Sequence, residues 1–442
     1  MLSFLCAHIF CNKPIVIIPP LYGSNLFITY QNVSGLHSYC TSKVSDKLLW
    51  VNPSYAIPPV YNCLFQLLTV YWDNETENYM SRPNTTISVH DFGGDSTVKY
   101  IAHGLGGWLR LIESFKSLIQ HFKHKGYVVR RDIFAAPFDW RLAVAGLDLF
   151  WPNLKNLVEH AYRVNRGQKV TIFGYSCGGF TLQQFLAEHV DQEWKDKYLD
   201  RAIFLAPSFA GAGASLPSMY TKTFPIVPII KNDDLDAMIE SMPVVHQHFP
   251  NWEIFGDREV IRTPEDNTLY ARDVPQFLID QGKVKGDNIK IMMKAANISS
   301  KAPRSPGLPT YIIYNSAVPT DFNLKFKNGY NKDPIVEKTG GDGTVFAAGP
   351  EYACNHWTTP VKCIDLYKDS ELFEHQPLAA NPFVHDIIYH LHTTDKWMHS
   401  NTSRKIIRAP LVEITSNNSY TIRSDVRPKK IIMKKIISEE KH

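Results

Sequence analysis

The sequence predicts an α/β fold built on a mostly parallel sheet, because strand patterns and helical patterns alternate along the chain. Helical patterns with apolar residues at three- and four-residue spacing include WPNLKNLVEHAYRVNRG and GFTLQQFLAEHV. The alternation predicts helices on both faces of the sheet. Five β-branched runs are predicted as buried strands: PIVIIPP (14–20), KVTIF (169–173), RAIFLAP (201–207), TYIIYNS (310–316) and VKCIDLY (361–367).

The composition predicts a large folded core and excludes some classes of protein. The chain has 442 residues, 44% of them apolar, which is enough for one elaborated domain or two ordinary ones. With 47 basic against 43 acidic side chains, a nucleic-acid partner is not expected. The basic excess belongs to residues 401–442, which carry ten Lys or Arg and four Asp or Glu. We interpret this basic C-terminal extension as solvated terminal charge more readily than as a membrane contact.

Two segments interrupt the alternation and are predicted as excursions from a core domain that spans residues 12–400. The first, residues 27–90, is rich in aromatic residues and contains Cys40 and Cys63. The second, residues 210–309, is long and irregular. Each is predicted to form a subdomain inserted into the core.

Several weak signals favour the secretory pathway. The opening MLSFLCAHIFC resembles a signal peptide in its apolar character, although it lacks a basic start and also suits a first strand. No apolar run approaches the roughly 18 residues that span a bilayer, so any membrane contact is expected to be peripheral. Six Asn-x-Ser/Thr sequons point the same way, at Asn32, Asn74, Asn84, Asn297, Asn401 and Asn417.

The seven cysteines suggest disulfides more than metal ligands. None lies in a Cys-x-x-Cys pair, so no metal centre and no cofactor are predicted. Cys40 with Cys63 and Cys354 with Cys363 are plausible pairs, but the sequence by itself leaves the pairing open.

The clearest chemical motif is Gly174-Tyr175-Ser176-Cys177-Gly178, a G-x-S-x-G string between a predicted strand and a predicted helix. In this context the motif forms a sharp turn that presents the serine hydroxyl above the sheet. The start of the following helix favours developing negative charge. An ordinary glycine-rich turn is the simpler alternative, but the strand-to-helix context favours Ser176 as a nucleophile.

A serine nucleophile needs a histidine base and an acid, which follow it in the order Ser, acid, His in α/β-hydrolases. Asp342 in GGDGTV is the predicted acid, with an Asp-Gly turn as the alternative reading. His375 is the predicted base because it follows the strand VKCIDLY and precedes a helical pattern. His385 ranks second, and the weaker candidates downstream are His356, His390 and His392.

The oxyanion hole of such a site is built from backbone N–H groups. The predicted donors are Cys177, which follows the nucleophile, and Leu21 in the loop after the first strand. A redox or nucleophilic role for the Cys177 thiol is the competing interpretation, and a small buried filler is the expected one.

The order of several motifs resembles the lecithin:cholesterol acyltransferase family, particularly its lysosomal phospholipase A2-like branch. The resemblance runs from about Pro14 to about Leu391, and the basic extension lies outside it. The matching strings are PIVIIPPLYGSNL, LLW between Cys40 and Cys63, AAPFDWRLA, GYSCGG, EWKDKYLDRAIFLAPSFAG, SAVPT, GGDGTV and FEH.

The resemblance implies an α/β-hydrolase core with a disulfide-closed membrane-binding subdomain, here residues 27–90, and a cap subdomain, here residues 210–309. It implies structural support near the site from Asp139-Trp140-Arg141, and the alternative is an ordinary core tryptophan beside a surface ion pair. Pro20 departs from the family, which usually has glycine in the oxyanion loop. The implied site residues are the triad Ser176, Asp342 and His375, the oxyanion donors Leu21 and Cys177, a Cys40–Cys63 disulfide and Trp50 as a lipid-facing aromatic.

The implied function is transfer of a fatty-acyl group from a glycerophospholipid to a lipid hydroxyl or to water, through an acyl-enzyme on Ser176. The expected partners are phospholipid, a lipid acyl acceptor and a peripheral membrane surface. Two alternatives stay open: a soluble carboxylesterase or neutral lipase, and a lipid-binding protein without catalysis. An intact triad argues against the second alternative, since a carrier does not need these three residues in this order.

Overall fold

The computed structural model describes residues 12–101, 113–225, 229–394 and 406–408. The apolar opening and most of the basic extension therefore lie outside the described residues. The strands are β1 (Ile15–Ile18), β2 (Leu26–Gln31), β3 (Lys43–Trp50), β4 (Val70–Asp73), β5 (Asn78–Ser81), β6 (Thr85–Val89), β7 (Ile133–Ala135), β8 (Val170–Tyr175), β9 (Leu199–Leu205), β10 (Glu259–Arg262), β11 (Thr268–Tyr270), β12 (Thr310–Tyr314), β13 (Val318–Lys325), β14 (Ile335–Gly341), β15 (Val361–Asp365) and β16 (Ile406–Arg408).

The α-helices vary in length from a single turn to four turns. The longest of those described, α3, covers the pattern WPNLKNLVEHAYRV that the sequence predicts as helical. In chain order they are α1 (Tyr61–Leu68), α2 (Lys116–His124), α3 (Phe150–Val164), α4 (Cys177–Gln184), α5 (Gln192–Tyr198), α6 (Ser215–Thr221), α7 (Asp233–Ser241), α8 (Pro243–Gln247), α9 (Trp252–Phe255), α10 (Val274–Asp280), α11 (Asn288–Ala296), α12 (Ala348–His356), α13 (His375–Leu378) and α14 (Pro382–Thr393).

The central sheet has the strand order β16-β15-β12-β9-β8-β1-β7, and each neighbouring pair is parallel. All five runs predicted as strands lie in it, as β1, β8, β9, β12 and β15. The two edge strands, β7 and β16, were not predicted because three residues carry too little pattern. The predicted α/β-hydrolase fold with a mostly parallel sheet is confirmed.

Helices cover both faces of this sheet, as the buried strands require. In β1, Val16 and Ile18 point into a core that includes residues of α3 and α4. Ile15 and Ile17 point into a separate core with residues of α2 and α14. All four side chains are buried, so β1 reads as a continuous apolar run without polar alternation.

The first insertion, residues 27–90, forms a small antiparallel unit of its own. Its strands make a three-stranded sheet, β3-β2-β6, and a separate hairpin of β4 and β5. A disulfide joins Cys40, in the loop before β3, to Cys63 in α1, with 5.8 Å between their Cα atoms. A second disulfide joins Cys354 in α12 to Cys363 in β15.

The second insertion is larger than its predicted boundaries. Helices α6 to α11 and strands β10 and β11 lie within residues 210–309. However, β10 also pairs with β13, and β13 pairs with β14, in a four-stranded sheet of order β11-β10-β13-β14. Since β13 and β14 follow β12 in the chain, a boundary at residue 309 divides one sheet. This long-range pairing leaves no local signal in the sequence.

Both insertions are attached to the core at Asp139-Trp140-Arg141. The Arg141 side chain is 1% exposed and binds both carboxylate oxygens of Asp139, at 2.6 and 2.9 Å. It also donates to the Ser81 hydroxyl in the first insertion at 3.0 Å. The Arg141 carbonyl accepts from the Val244 N–H of the second insertion at 3.2 Å. This string therefore has the supporting role that the resemblance implies.

No helix in the described ranges is long and apolar enough to cross a membrane.

His392 fastens α14 to the sheet. Its Nε2 lies 3.1 Å from the Lys13 carbonyl, and its Nδ1 lies 2.8 Å from the Thr171 hydroxyl. Because a carbonyl only accepts, Nε2 donates and Nδ1 accepts from the hydroxyl, which defines a neutral ring. Burial lowers the pKa of His392 to about 3. The unfolded chain therefore binds a proton at this histidine more readily than the folded protein does.

We predict that His392→Gln makes the stability of the protein less sensitive to acid. In the wild type, the unfolding free energy falls as the pH drops below the pKa of this histidine in the unfolded chain, about 6.5. The fall continues until the pH reaches its lower pKa in the folded protein. Between pH 7 and pH 5 its share of that loss is about 2 kcal/mol. Urea unfolding at both pH values should show a drop in unfolding free energy that is smaller by this amount in the variant.

His124→Gln is the matched control, because His124 is exposed at the end of α2. Its pH dependence should equal that of the wild type. An equal drop in His392→Gln and in the wild type would refute the assignment of His392 as a buried neutral group.

Candidate active site

Ser176 occupies the tight turn between β8 and α4. Its backbone has φ of 58° and ψ of −125°, a conformation that a residue with a side chain adopts only under constraint. A Cβ at Gly178 would lie 2.2 Å from the Pro19 carbonyl oxygen, and one at Gly174 would lie 2.6 Å from the Gly178 carbonyl oxygen. The crowded backbone explains why small residues flank the serine.

Ser176, His375 and Asp342 form a continuous hydrogen-bonded chain. His375 Nε2 lies 2.8 Å from Ser176 Oγ, and His375 Nδ1 lies 2.7 Å from Asp342 Oδ2. Because an ionised carboxylate only accepts, Nδ1 donates to Asp342 and Nε2 accepts from the serine hydroxyl. The structure thus brings together the three residues that the sequence predicts, in the tautomer that proton removal from serine needs.

The Asp342 carboxylate is fixed by its own loop. Its Oδ1 accepts the N–H groups of Thr344 at 3.1 Å and Val345 at 2.7 Å. Its backbone carbonyl accepts from the His375 N–H at 2.8 Å. Asp342 follows β14 of the four-stranded sheet, so the acid comes from the extended second insertion rather than from a strand of the central sheet.

The other histidine candidates lie elsewhere. His356 is exposed on α12, and His385 is buried with its Nε2 2.7 Å from the Ala379 carbonyl. His392 belongs to the core contact described above, and His390 lies on the same helix, α14. Among the hydrogen bonds of the described residues, only His375 of these five contacts Ser176.

Leu21 and Cys177 both line the cavity in front of Ser176. Within the ranges described, no hydrogen bond engages the backbone N–H group of either residue. Cys177 is the first residue of α4, where the helix presents its positive end. Pro20 fits this loop because its carbonyl accepts the Gly23 N–H at 2.9 Å and closes the turn.

The Cys177 thiol does not suit a nucleophilic or redox role. It is buried beside the elbow as a free cysteine. Burial raises the pKa of this thiol to about 12, so it stays protonated and unreactive. Its side chain is a small buried filler, as the sequence led us to expect.

A cavity of about 420 Å³ opens in front of the triad. Its size lies within the range of ordinary small-molecule sites. The second insertion supplies much of the apolar wall through Phe224, Met238, Ile239 and Met242. Such a wall favours an apolar ligand, because moving an alkyl chain out of water is favourable only into another apolar surface.

Trp50 is not the lipid-facing aromatic that the resemblance implies. It is 2% exposed, and its Nε1 donates to the Tyr22 carbonyl at 3.1 Å. Its ring packs against Tyr22, Trp140 and Phe224, with centroids 4.9 to 6.4 Å apart. Tyr22 and Phe224 line the cavity, and Trp50 lies behind them. The indole is buried because it fills the junction of the first insertion, the oxyanion loop and the core.

Tyr175 has a role that the sequence did not reveal. Its hydroxyl donates to the backbone carbonyl of His375, and the two rings stack with centroids 5.1 Å apart. Burial raises the pKa of Tyr175 well above its ordinary value, so the hydroxyl keeps its proton for this bond. The residue was passed over because it occupies the variable position of G-x-S-x-G. It holds the histidine segment in place.

Ser208 and His248 form a second serine–histidine pair in the wall of the cavity, with Ser208 Oγ 2.8 Å from His248 Nε2. Ser208 follows β9, and the end of β9 lies beside the end of β8, which precedes Ser176. Its position after a predicted strand was therefore a sequence signal that could have identified it as a site residue. His248 comes from the irregular second insertion, where no pattern singled it out. Among described residues, no cluster of His, Cys, Asp and Glu is arranged to hold a metal ion.

Comparison with known proteins gives consistent matches. The profile of the family described as lecithin:cholesterol acyltransferase matches residues 46–274, more than half of the chain. Lysosomal phospholipase A and acyltransferase of Bos taurus is 24% identical over 338 residues, covering 75% of this chain and 80% of that protein. Phosphatidylcholine-sterol acyltransferase of Rattus norvegicus is 25% identical over 350 residues, covering 78% and 77%. Lecithin-cholesterol acyltransferase-like 1 of Arabidopsis thaliana is 26% identical over 309 residues, covering 67% and 70%.

We predict that Tyr175→Phe slows modification of Ser176 by a fluorophosphonate roughly fivefold to tenfold, since one buried hydrogen bond that positions His375 is lost. The fold should be retained, because the aromatic ring and its packing remain. The rate constant of labelling, measured by mass spectrometry, reports the effect.

Tyr30→Phe provides the control, because the Tyr30 hydroxyl also donates to a backbone carbonyl, that of Thr41, away from the site. Its labelling rate should match the wild type. If Tyr175→Phe also labels at the wild-type rate, Tyr175 does not position His375.

Proposed function

This chain belongs to the lecithin:cholesterol acyltransferase family of lipid acyltransferases and phospholipases, and we propose that it acts through an acyl-enzyme on Ser176. In this proposal Ser176 attacks a fatty-acyl ester of a glycerophospholipid, and the acyl group then passes to a lipid hydroxyl or to water. The observation that carries the proposal is the contact of His375 with both Ser176 and Asp342 at the base of an apolar cavity.

In the first step, Ser176 Oγ forms a bond to the ester carbon while its proton moves to His375 Nε2. The ring becomes positively charged, and Asp342 stabilises that charge through Nδ1. When the tetrahedral intermediate collapses, the proton passes to the leaving alkoxide, and lysophospholipid departs. The acyl group remains bonded to Ser176.

Negative charge develops on the ester oxygen during this step. We assign its stabilisation to the N–H groups of Leu21 and Cys177, since both residues line the cavity and neither N–H has an acceptor within the described residues. The N-terminus of α4 adds to the stabilisation, because its dipole is aligned before the reaction begins.

In the second step, His375 takes a proton from the incoming nucleophile. Water gives a free fatty acid, and a lipid hydroxyl gives a new ester. The triad serves both nucleophiles in the same way, so the rest of the cavity decides between them. Of the relatives, one is named a phospholipase A and acyltransferase, and another a phosphatidylcholine-sterol acyltransferase. We propose phosphatidylcholine-type donors for this chain.

We also propose that the protein works in the secretory pathway, outside the cell or in the lysosome, at a membrane surface. Two disulfides support an oxidising compartment. Exposed sequon asparagines at Asn32, Asn74 and Asn84 suit N-glycosylation. The exposed side chain of Ile229, which follows the wall residue Phe224 in the chain, suits peripheral contact with lipid.

The alternatives make different demands on the substrate. A soluble carboxylesterase or neutral lipase would cleave short esters without vesicles. A carrier would bind phospholipid without any turnover, and the hydrogen-bonded triad gives no support to that reading. A rate that depends on vesicles distinguishes the proposed enzyme from a soluble esterase. Any turnover of phospholipid distinguishes it from a carrier.

We predict that Ser176→Ala abolishes release of lysophosphatidylcholine from acyl-labelled phosphatidylcholine vesicles. The loss should be at least about a thousandfold, because no other group in the triad can form the acyl bond. The purified protein is incubated with vesicles, with and without a sterol or ceramide acceptor, and the labelled products are separated. Label in the acceptor identifies an acyltransferase, and label only in fatty acid identifies a phospholipase.

Ser42→Ala serves as the control, because Ser42 is exposed in the first insertion, belongs to no sequon and does not line the cavity. It should retain wild-type turnover. Equal thermal unfolding temperatures of the two variants would attribute the loss to chemistry rather than to folding. Turnover by Ser176→Ala at the rate of Ser42→Ala would refute the proposal.

A further inference from the structure

The Ser208–His248 pair is a polar feature of the cavity wall that the two acyl-transfer steps above do not use. Ser208 is 2% exposed and His248 is 4% exposed, and both side chains border the same cavity as Ser176. The His248 ring packs on Phe180, with centroids 5.9 Å apart. A buried polar pair of this kind is retained only when its hydrogen bonds are satisfied.

The direction of the hydrogen bonds in the pair follows from the partner of the other ring nitrogen. His248 Nδ1 lies 2.7 Å from the Val244 carbonyl, which can only accept, so Nδ1 donates. Burial lowers the pKa of His248 to about 4, so the ring is neutral near pH 7 and Nε2 is an acceptor. The Ser208 hydroxyl therefore donates to His248 Nε2, at 2.8 Å. Its oxygen lone pairs remain available as acceptors.

Ser208 is held directly beside the nucleophile. Its N–H donates to the Ser176 carbonyl at 3.3 Å, so the two backbones are in contact at the ends of neighbouring strands. The backbone of His248 is fixed as well, because its carbonyl accepts the Ala212 N–H at 2.9 Å. Ser208, with its hydroxyl held by His248, therefore lines the cavity next to Ser176.

We propose that Ser208 binds the water molecule that hydrolyses the acyl-enzyme, and that His248 positions Ser208 for this task. The proposal rests on the acyl-enzyme mechanism proposed above. Water can donate two hydrogen bonds, one to His375 Nε2 and one to Ser208 Oγ, while its lone pair faces the acyl carbon. An alcohol has one hydroxyl hydrogen, which His375 takes, so it gains nothing from Ser208. The pair therefore favours hydrolysis over acyl transfer.

The atoms of the hydrolytic step balance without another reactant. The water oxygen bonds to the acyl carbon, and the hydrogen facing His375 moves to Nε2. The hydrogen facing Ser208 stays on the oxygen and becomes the acid proton of the product. The bond from the acyl carbon to Ser176 Oγ then breaks, and His375 returns its proton to the serine.

The test measures how the acyl-enzyme divides between water and methanol, an alcohol with one hydroxyl hydrogen. Acyl-labelled phosphatidylcholine vesicles are incubated with a fixed concentration of methanol, and the ratio of free fatty acid to methyl ester is determined. This ratio is set after the acyl-enzyme forms, so the fraction of folded protein and the rate of acylation do not affect it. Release of lysophosphatidylcholine is recorded in parallel.

We expect Ser208→Ala to lower the ratio of acid to ester roughly fivefold to tenfold, the effect of one lost hydrogen bond to the reacting water. His248→Phe should lower it as well, because the serine hydroxyl loses the partner that orients it. Ser208→Thr keeps a hydroxyl and should restore the ratio to within about twofold of the wild type. Ser88→Ala is the matched control, since Ser88 Oγ contacts His90 Nε2 at 3.2 Å in a pair outside the cavity lining.

A ratio in Ser208→Ala within twofold of the wild type overturns the proposal, whatever happens to total turnover. If the wild type forms free fatty acid but no methyl ester, the proposal requires methyl ester to appear with Ser208→Ala. Free fatty acid as the sole product of both proteins therefore also overturns it. Failure of the acyl-enzyme mechanism looks different: Ser176→Ala would then release lysophosphatidylcholine, or the wild type would release none.

Discussion

The turn at Ser176 is the constraint on which the rest of the site depends. The backbone passes from β8 into α4 within one residue, and the Pro19 carbonyl occupies the space that a side chain at Gly178 would need. That crowding fixes the serine in a left-handed conformation, directs its hydroxyl out of the sheet and sets the first N–H of α4 beside it. The proposed nucleophile, Ser176, and the proposed oxyanion donor, Cys177, are therefore positioned by one steric requirement. The neighbouring strands, β1 and β9, are buried and hold this turn in place.

The two insertions are joined to this turn through buried polar contacts rather than through loose packing. Arg141 links the core to Ser81 of the first insertion and, through its carbonyl, to Val244 of the second. Val244 in turn borders the cavity and accepts from the His248 ring. Loss of the first insertion would remove the Ser81 hydroxyl that accepts from the Arg141 guanidinium, and loss of the second would leave the Arg141 carbonyl without the Val244 N–H. The cavity wall and the core are thus coupled, and the wall is a fixed part of the site.

The sequence predicted what is locally encoded and missed what depends on distant partners. The five core strands were recognised because β1 and its neighbours are buried on both faces, and the triad because its motifs follow strands in a known order. The four-stranded sheet was divided at residue 309 because pairing of β10 with β13 leaves no local pattern. Trp50 was expected at a lipid surface from the family resemblance, which does not reveal whether the ring is exposed or fills a junction in this chain. His248 was overlooked because its partner, Ser208, is 40 residues away in the chain.

Burial in this site keeps most polar groups neutral, and that neutrality is part of the chemistry. The raised pKa values of Tyr175 and Cys177 and the lowered pKa of His248 all follow from desolvation, which disfavours the charged form of each. The Asp342 carboxylate is held by two N–H groups and by His375. In the mechanism proposed above, charge that develops during reaction meets fixed partners, the α4 N-terminus for the oxyanion and Asp342 for the imidazolium. In an apolar cavity these interactions are stronger than in water. The residues that would admit an acyl chain are thus the same ones that strengthen the electrostatics of the triad, so substrate binding and catalysis cannot be tuned separately here.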